Sequence, residues 1–119
     1  VAGLLGDRIE FQPGDDWKGQ SIGPKGGALI LKLHLTEVSG SVFRGGLHKT
    51  GSNNVTEIMK VEGTRDGHKF TLKTTQMVKG PNQHWEIRGY VFGPRIVGEY
   101  SGKSSKGKLG AGVISLTNR

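Results

Sequence analysis

The sequence predicts an all-β protein, an eight-stranded antiparallel up-and-down β-barrel built as a meander, and three observations predict it. Stretches of alternating apolar and polar residues, each roughly ten long, recur eight times. Clusters of Gly, Asn, Asp and Pro, which favour turns, separate them. No segment repeats its apolar residues at the spacing of an amphipathic helix. Short connections keep sequence neighbours adjacent, and eight strands can close on themselves, leaving an interior sized for side chains or one small ligand.

Residues 1–16 lack alternation and contain Pro13, Gly14, Asp15 and Asp16, so they read as an N-terminal arm or linker with one short extended piece at 9–11. The barrel domain is expected over 17–119. Its first strand covers 17–22 and is closed by Gly23, Pro24, Lys25, Gly26 and Gly27. The second is the clearest: Leu29, Leu31, Leu33 and Leu35 share one face while Lys32, His34 and Thr36 share the other, a pattern that a helix would scatter. The third, 38–48, holds Gly40, Gly45 and Gly46 and is expected to bulge or bend strongly.

After Gly51, Ser52, Asn53 and Asn54, a fourth strand at 55–62 puts Val55, Met59 and Val61 on one face, and Arg65, Asp66 and Gly67 form a hairpin turn. The fifth, 68–78, opposes Phe70 and Leu72 to Lys69, Thr71, Lys73 and Thr75, and ends at Lys79, Gly80, Pro81 and Asn82. The sixth, 84–92, sets Trp85, Ile87 and Val91 against His84, Glu86, Arg88 and Tyr90, and is followed by Gly93 and Pro94. The seventh and eighth, 96–101 and 109–117, are joined by a basic Gly and Ser loop at 102–107 that carries Lys103 and Lys106.

A length of 119 residues allows one hydrophobic core. The 21 glycines lie between apolar runs, which suits turns and barrel corners better than a disordered tract. Without cysteine there is neither a disulfide framework nor a thiolate ligand or nucleophile. No apolar run approaches the roughly 20 residues that cross a bilayer. The first residue is Val, which suggests a processed product or a domain of something longer, and the expected location is cytoplasmic or the cytosolic face of a membrane-anchored protein. Seventeen Lys and Arg against ten Asp and Glu give a formal charge of +7, a field that draws anions: nucleic acid, nucleotides, anionic lipid or acidic protein.

Few motifs carry chemistry. The glycines at 23–27 fit neither a Walker loop nor a dinucleotide fingerprint, and no helix follows to receive phosphate, so they read as a plain turn. His34, His48, His68 and His84 lack metal-ligand spacing, so neither a metal nor a cofactor is expected. No Gly-x-Ser-x-Gly run or carboxylate pair stands out, so the reading is not an enzyme, with an isomerase or hydrolase at the barrel mouth as a further alternative that lacks a convergent acid and base pair. Asn54, Val55 and Thr56 match a glycosylation pattern only.

Aromatic residues with basic neighbours are more informative. Arg88 and Tyr90 share a face of the sixth strand, Tyr100 lies on the next, and Lys73 and Thr75 on the one before. A nucleotide pocket needs a ring to stack on a base, a guanidinium to pair with phosphate and hydroxyls to orient the remainder. Arg44 and Arg95 are further cations. The alternative is that Tyr90 and Tyr100 pack in the core or rim while Arg88 is solvated.

The opening Trp17, Lys18 and Gly19, with Gly98, Glu99, Tyr100, Ser101 and Gly102 and then 110–116 closing the chain, resembles avidin-like and lipocalin-like (calycin-like) barrels. More narrowly, residues 17–117 resemble the soluble barrel of bacterial two-transmembrane anti-phage effectors of the CBASS type. That resemblance implies sensing of a cyclic oligonucleotide, a membrane anchor ahead of the barrel and ligand-driven self-association into a homo-oligomer; Trp17 and Gly19, the positions matched individually, would close the barrel. No transmembrane pair occurs in this chain, so it reads as a stand-alone barrel or one separated from its anchor.

The expected function is therefore a ligand-binding barrel sensing a cyclic di- or oligonucleotide in anti-phage signalling, with Lys73, Thr75, Arg88, Tyr90, Tyr100 and Arg44 as the binding residues. One alternative is a basic barrel that binds RNA or single-stranded DNA on its outer face and Lys103, Lys106 and Lys108; another is an avidin-like or lipocalin-like binder of a neutral small molecule. Steep salt dependence would mark the polymer.

Overall fold

Strict alternation gives each strand an apolar face that must be covered, and eight strands cover one another by closing into a cylinder. A computed structural model describes residues 11–23, 27–51, 54–104 and 107–118, with only the backbone of 108 and 109. Its strands are β1 (Asp16–Ile22), β2 (Ala28–Ser39), β3 (Val42–Thr50), β4 (Thr56–Asp66), β5 (Lys69–Lys79), β6 (His84–Phe92), β7 (Arg95–Ser104) and β8 (Gly107–Thr117). Each pairs antiparallel with the next, and β8 pairs with β1, so the expected closed up-and-down barrel is the observed fold. No helix long and apolar enough to cross a membrane occurs among the described residues.

The leucine row of β2 faces inward: Leu31, Leu33 and Leu35 are buried against Met59, Val61, Ile87 and Ile96. Inward glycines let the strands bend at the corners. A Cβ at Gly19 would stand 1.8 Å from the Ser115 carbonyl oxygen, and one at Gly45 would stand 2.0 Å from that of His34, so no side chain fits at either crossing.

Local chemistry moves some boundaries. Gly40, at φ 61°, makes the β2–β3 turn with Ser41, so it supplies the hairpin in place of the expected bulge, and β3 starts at Val42. The irregularity of that pair lies between Leu35 and Glu37 instead. Val55 precedes β4 and is exposed, while Met59 and Val61 face inward as expected. Pairing of β7 with β8 runs out to Ser104 and Gly107, which turns most of the expected 102–107 loop into strand. Pro24, Lys25, Gly26, Lys106, the side chain of Lys108 and most of the extended piece at 9–11 lie outside the described residues.

The arm closes one end of the cylinder. Phe11 is buried, with its ring edge-on to Phe43 at 4.9 Å and to Trp17 at 5.8 Å, and the Arg65 guanidinium lies 4.6 Å above it. Backbone bonds from Gly14 N to Leu35 O (2.7 Å) and from Leu35 N to Asp15 O (2.9 Å) extend the barrel's own pairing. Residues 11–15 thus hydrogen-bond to and pack against the strands of the barrel. Trp17 is fully buried at this aromatic end.

Candidate ligand-binding site

Strand parity separates the residues expected to form one pocket. Lys73, Thr75, Arg88, Tyr90 and Arg44 point outward, and Tyr100 packs inside against the core. An interior guest meets only the last of them.

Lys73 and Arg88 come together with the wall around Tyr100 in an outer groove of about 950 Å³ across β4 to β8. Cross-strand register balances their charge: Lys73 lies opposite Glu62 and Glu86, and Arg88 opposite Glu99. Three glutamates against two cations leave no positive surplus there. Arg44 and Thr75 belong to a second outer groove, of about 730 Å³, which also holds Lys32, His34 and Lys60. Arg44 is bound to Glu37 (3.1 Å) and Glu62 (3.2 Å), which raise its pKa, the Glu37 hydrogen bond most. Thr75 donates to the Lys60 carbonyl at 3.3 Å. Tyr90 joins neither groove; it stacks on Phe92 at 5.9 Å, and Phe92 on His68 at 5.7 Å.

Away from the aromatic end the inward register turns polar. Ser21, Lys49, Glu57 and Thr74 occupy it on four strands, and Gln83 lies just before β6. The β5–β6 ladder stops at Lys73 and Glu86, so the last part of β5 stands apart from β6. Thr74 bridges this gap: its hydroxyl accepts the Trp85 N–H at 3.0 Å and lies 3.1 Å from Met59 Sδ and 3.4 Å from the Trp85 carbonyl. Over the gap lies an open cleft of about 510 Å³ that reaches Thr74, Met77 and Gln83.

A connected polar network fills this end. Lys49, only 7% exposed, donates to Gln83 Oε1 at 2.9 Å and pairs with Glu57 Oε1 at 3.3 Å, with its ammonium 3.9 Å from the centre of a Trp85 ring. Gln83 Nε2 donates to Glu57 Oε2 at 2.9 Å, and the Trp85 indole N–H donates to Gln83 Oε1. Burial pushes the Lys49 pKa down, and Glu57 opposes that shift in part.

Glycines seat the two rings of this end. A Cβ at Gly102 would come within 2.4 Å of the Trp85 ring, and one at Gly112 within 2.9 Å of Tyr100 Cε1. The rings are 5.4 Å apart, and the Tyr100 hydroxyl stands 3.6 Å from where a Gly23 Cβ would be, so the phenol reaches from β7 past β8 to the end of β1. Ser21, two residues earlier, is 2% exposed, and its hydroxyl has no partner among the described residues. A buried unpaired hydroxyl costs on the order of 1–3 kcal/mol. The Ser21 and Tyr100 hydroxyls and the Tyr100 ring thus stand on the inward register of the same end as the Lys49–Glu57 pair, whose ammonium covers the Trp85 ring.

The residues that sequence reasoning passed over had a signal: Lys49 shares parity with Phe43 and Leu47, and Ser21 with Trp17, so each is a polar residue in an inward register. Among the described residues no cluster of three His, Asp or Glu could hold a metal; His34 is bonded to Asp16 at 2.7 Å.

No protein-family model matches this chain, and no curated protein does. Solved structures match over its whole length. EF1p2_mFAP2b, solved bound to DFHBI, is similar at TM-score 0.73 with 12% identity, covering 99% of this chain and 98% of its own. A second structure, from the de novo design of a fluorescence-activating β-barrel, is similar at TM-score 0.65 with 14% identity, covering 100% and 99%. At such identities the likeness establishes the fold: this chain is an eight-stranded barrel with the architecture of those two structures.

Proposed function

We propose that the chain is a ligand-binding barrel that takes one small, planar, largely apolar molecule into its polar end, against Tyr100 and Trp85, with the ligand's polar group bonded to Ser21. The unpaired hydroxyl of Ser21 carries this reading. A ligand group supplies the partner that this hydroxyl lacks among the described residues. DFHBI, bound by a barrel of the same architecture, is a compatible first probe. Calorimetry should show the Ser21→Ala and Tyr100→Ala chains each binding DFHBI about tenfold more weakly than the unaltered chain, the value of roughly one hydrogen bond or ring contact. No binding of DFHBI, or equal affinity in all three chains, would overturn the assignment.

The finer reading is a cyclic di- or oligonucleotide sensed in anti-phage signalling, with a membrane anchor and self-association as its corollaries. The formal charge of +7 and the Trp17, Lys18, Gly19 opening favour it. The glutamates opposite Lys73 and Arg88 disfavour it, as does the pairing of Lys49 with Glu57, because a diphosphate needs cations left uncompensated. In the second outer groove Arg44 is already paired with Glu37 and Glu62, so a phosphate there would fall to Lys32 and Lys60. A cyclic dinucleotide in the same calorimetric series supports this reading if its affinity drops in a Lys32→Gln, Lys60→Gln chain, and removes it if no heat is seen.

A further inference from the structure

We infer that Lys49 is an imine-forming lysine, through which the polar end captures aromatic or conjugated aldehydes covalently. The inference rests on the reading of the polar end as a small-molecule site and adds a chemical class to it. Among the described lysines whose side chains are placed, Lys49 alone is buried, while Lys18, Lys32, Lys60, Lys69, Lys73, Lys79 and Lys103 are exposed. Desolvation weakens its hold on the third proton, which raises the share of free amine, the form that attacks a carbonyl.

The surroundings fit each part of the step. Glu57, 3.3 Å from the ammonium, is placed to take a proton and to return it. Trp85, 3.9 Å away, offers its face to a cation, and the Trp85–Tyr100 pair offers ring surface to an unsaturated aldehyde. Gln83, which bonds both Lys49 and Glu57, also lines the cleft over the β5–β6 gap, so its movement opens a path to the amine.

The step balances without an oxidant or reductant. Lys49 passes one proton to Glu57, and its lone pair forms a C–N bond with the aldehyde carbon. The former carbonyl oxygen gathers two protons, one from the attacking nitrogen and one by way of Glu57, and leaves as water when its bond to carbon breaks. The product is a protonated imine with the Glu57 carboxylate as its counterion: ammonium plus aldehyde gives iminium plus water.

The probe is 2-naphthaldehyde at neutral pH, followed by borohydride to reduce any imine to a stable secondary amine, with intact-mass measurement and peptide mapping. One naphthylmethyl group per chain, located at Lys49 and lost in the Lys49→Arg and Lys49→Gln chains, is the expected result. Labels spread over exposed lysines with none at Lys49 overturn the inference, and because mapping is done on the unaltered chain, misfolding of a variant does not blur that outcome. 2-Naphthalenemethanol, which cannot form an imine, separates the two claims. If the alcohol binds in calorimetry while Lys49 stays unlabelled, imine capture fails and the binding site stands; if neither occurs, both fail.

Discussion

The hydroxyl of Thr74 accepts the backbone N–H of Trp85 at 3.0 Å and faces the same residue's carbonyl at 3.4 Å, at the place where the β5–β6 ladder ends. One side chain thereby serves the backbone polar groups of a buried residue after the neighbouring strand has stopped doing so. The same bond holds Trp85 beneath Lys49 and beside Tyr100, so it links the barrel's closure to the geometry of its polar end.

Replacing Thr74 by Val keeps the shape and removes the acceptor. The Trp85 amide then loses its partner in a buried setting, and the chain should lose about 1–3 kcal/mol of stability. Urea denaturation checks this, and Thr74→Ser, which keeps the hydroxyl, should lose less. Equal stability of the Val chain would mean that the bond contributes nothing.

Ser21→Ala should act in opposite directions on stability and binding. Removing an unpaired buried hydroxyl should raise stability by roughly 1 kcal/mol, while the same change weakens ligand affinity. Thermal melts of the ligand-free chain, run beside the calorimetry, measure the first half. A stability loss would mean that the hydroxyl has a structural partner.

The glycines divide into two kinds. Gly45→Ala would drive a Cβ to within 2.0 Å of the His34 carbonyl oxygen and should cost at least about 3 kcal/mol. Gly27 has nothing within 4 Å of its Cβ position, so Gly27→Ala should be neutral or stabilise by about 0.4–1 kcal/mol through the unfolded chain. Urea midpoints of the two variants should therefore move apart.

Asp16 should add an acid-sensitive contribution to stability. Its hydrogen bond with His34, at 2.7 Å, is the largest cause holding its carboxyl below the usual carboxylate range. A depressed folded pKa adds stability at pH values above that range, and the contribution disappears as pH falls through the lowered pKa. The gap in urea midpoint between the unaltered chain and Asp16→Asn should be open at neutral pH and closed in strong acid. A gap that stays constant across that window contradicts the pairing.

Architecture was legible in the sequence because burial acts on parity, and parity is written in Leu29, Leu31, Leu33 and Leu35 and in the alternation of 84–92. Turn positions were less so: Gly40 reads equally as a bulge or a hairpin residue, and only its φ of 61° decides. The proposed site was mostly hidden. Charge drew attention to Lys73 and Arg88, whose register partners are glutamates, an arrangement that depends on which residues pair across strands. Lys49 and Ser21 stand on inward registers that become visible once the apolar face of β3 and β1 is fixed. Phe11 lies beyond any alternation, so its place under Phe43 depends on the chain's turn at Pro13 and Gly14 and on no local pattern.

Two tryptophans, one at each end of the cylinder, give the most direct test of where the guest sits. Trp17 is buried at the aromatic end, and Trp85 belongs to the polar network. In ¹⁵N-labelled protein each indole N–H gives its own resonance, which can be followed during titration with DFHBI. The Trp85 signal should shift with the binding curve while that of Trp17 stays in place. A titration that moves Trp17, or that moves only outward-facing residues such as Arg88 and Lys73 with Trp85 unchanged, would contradict an interior site at the polar end.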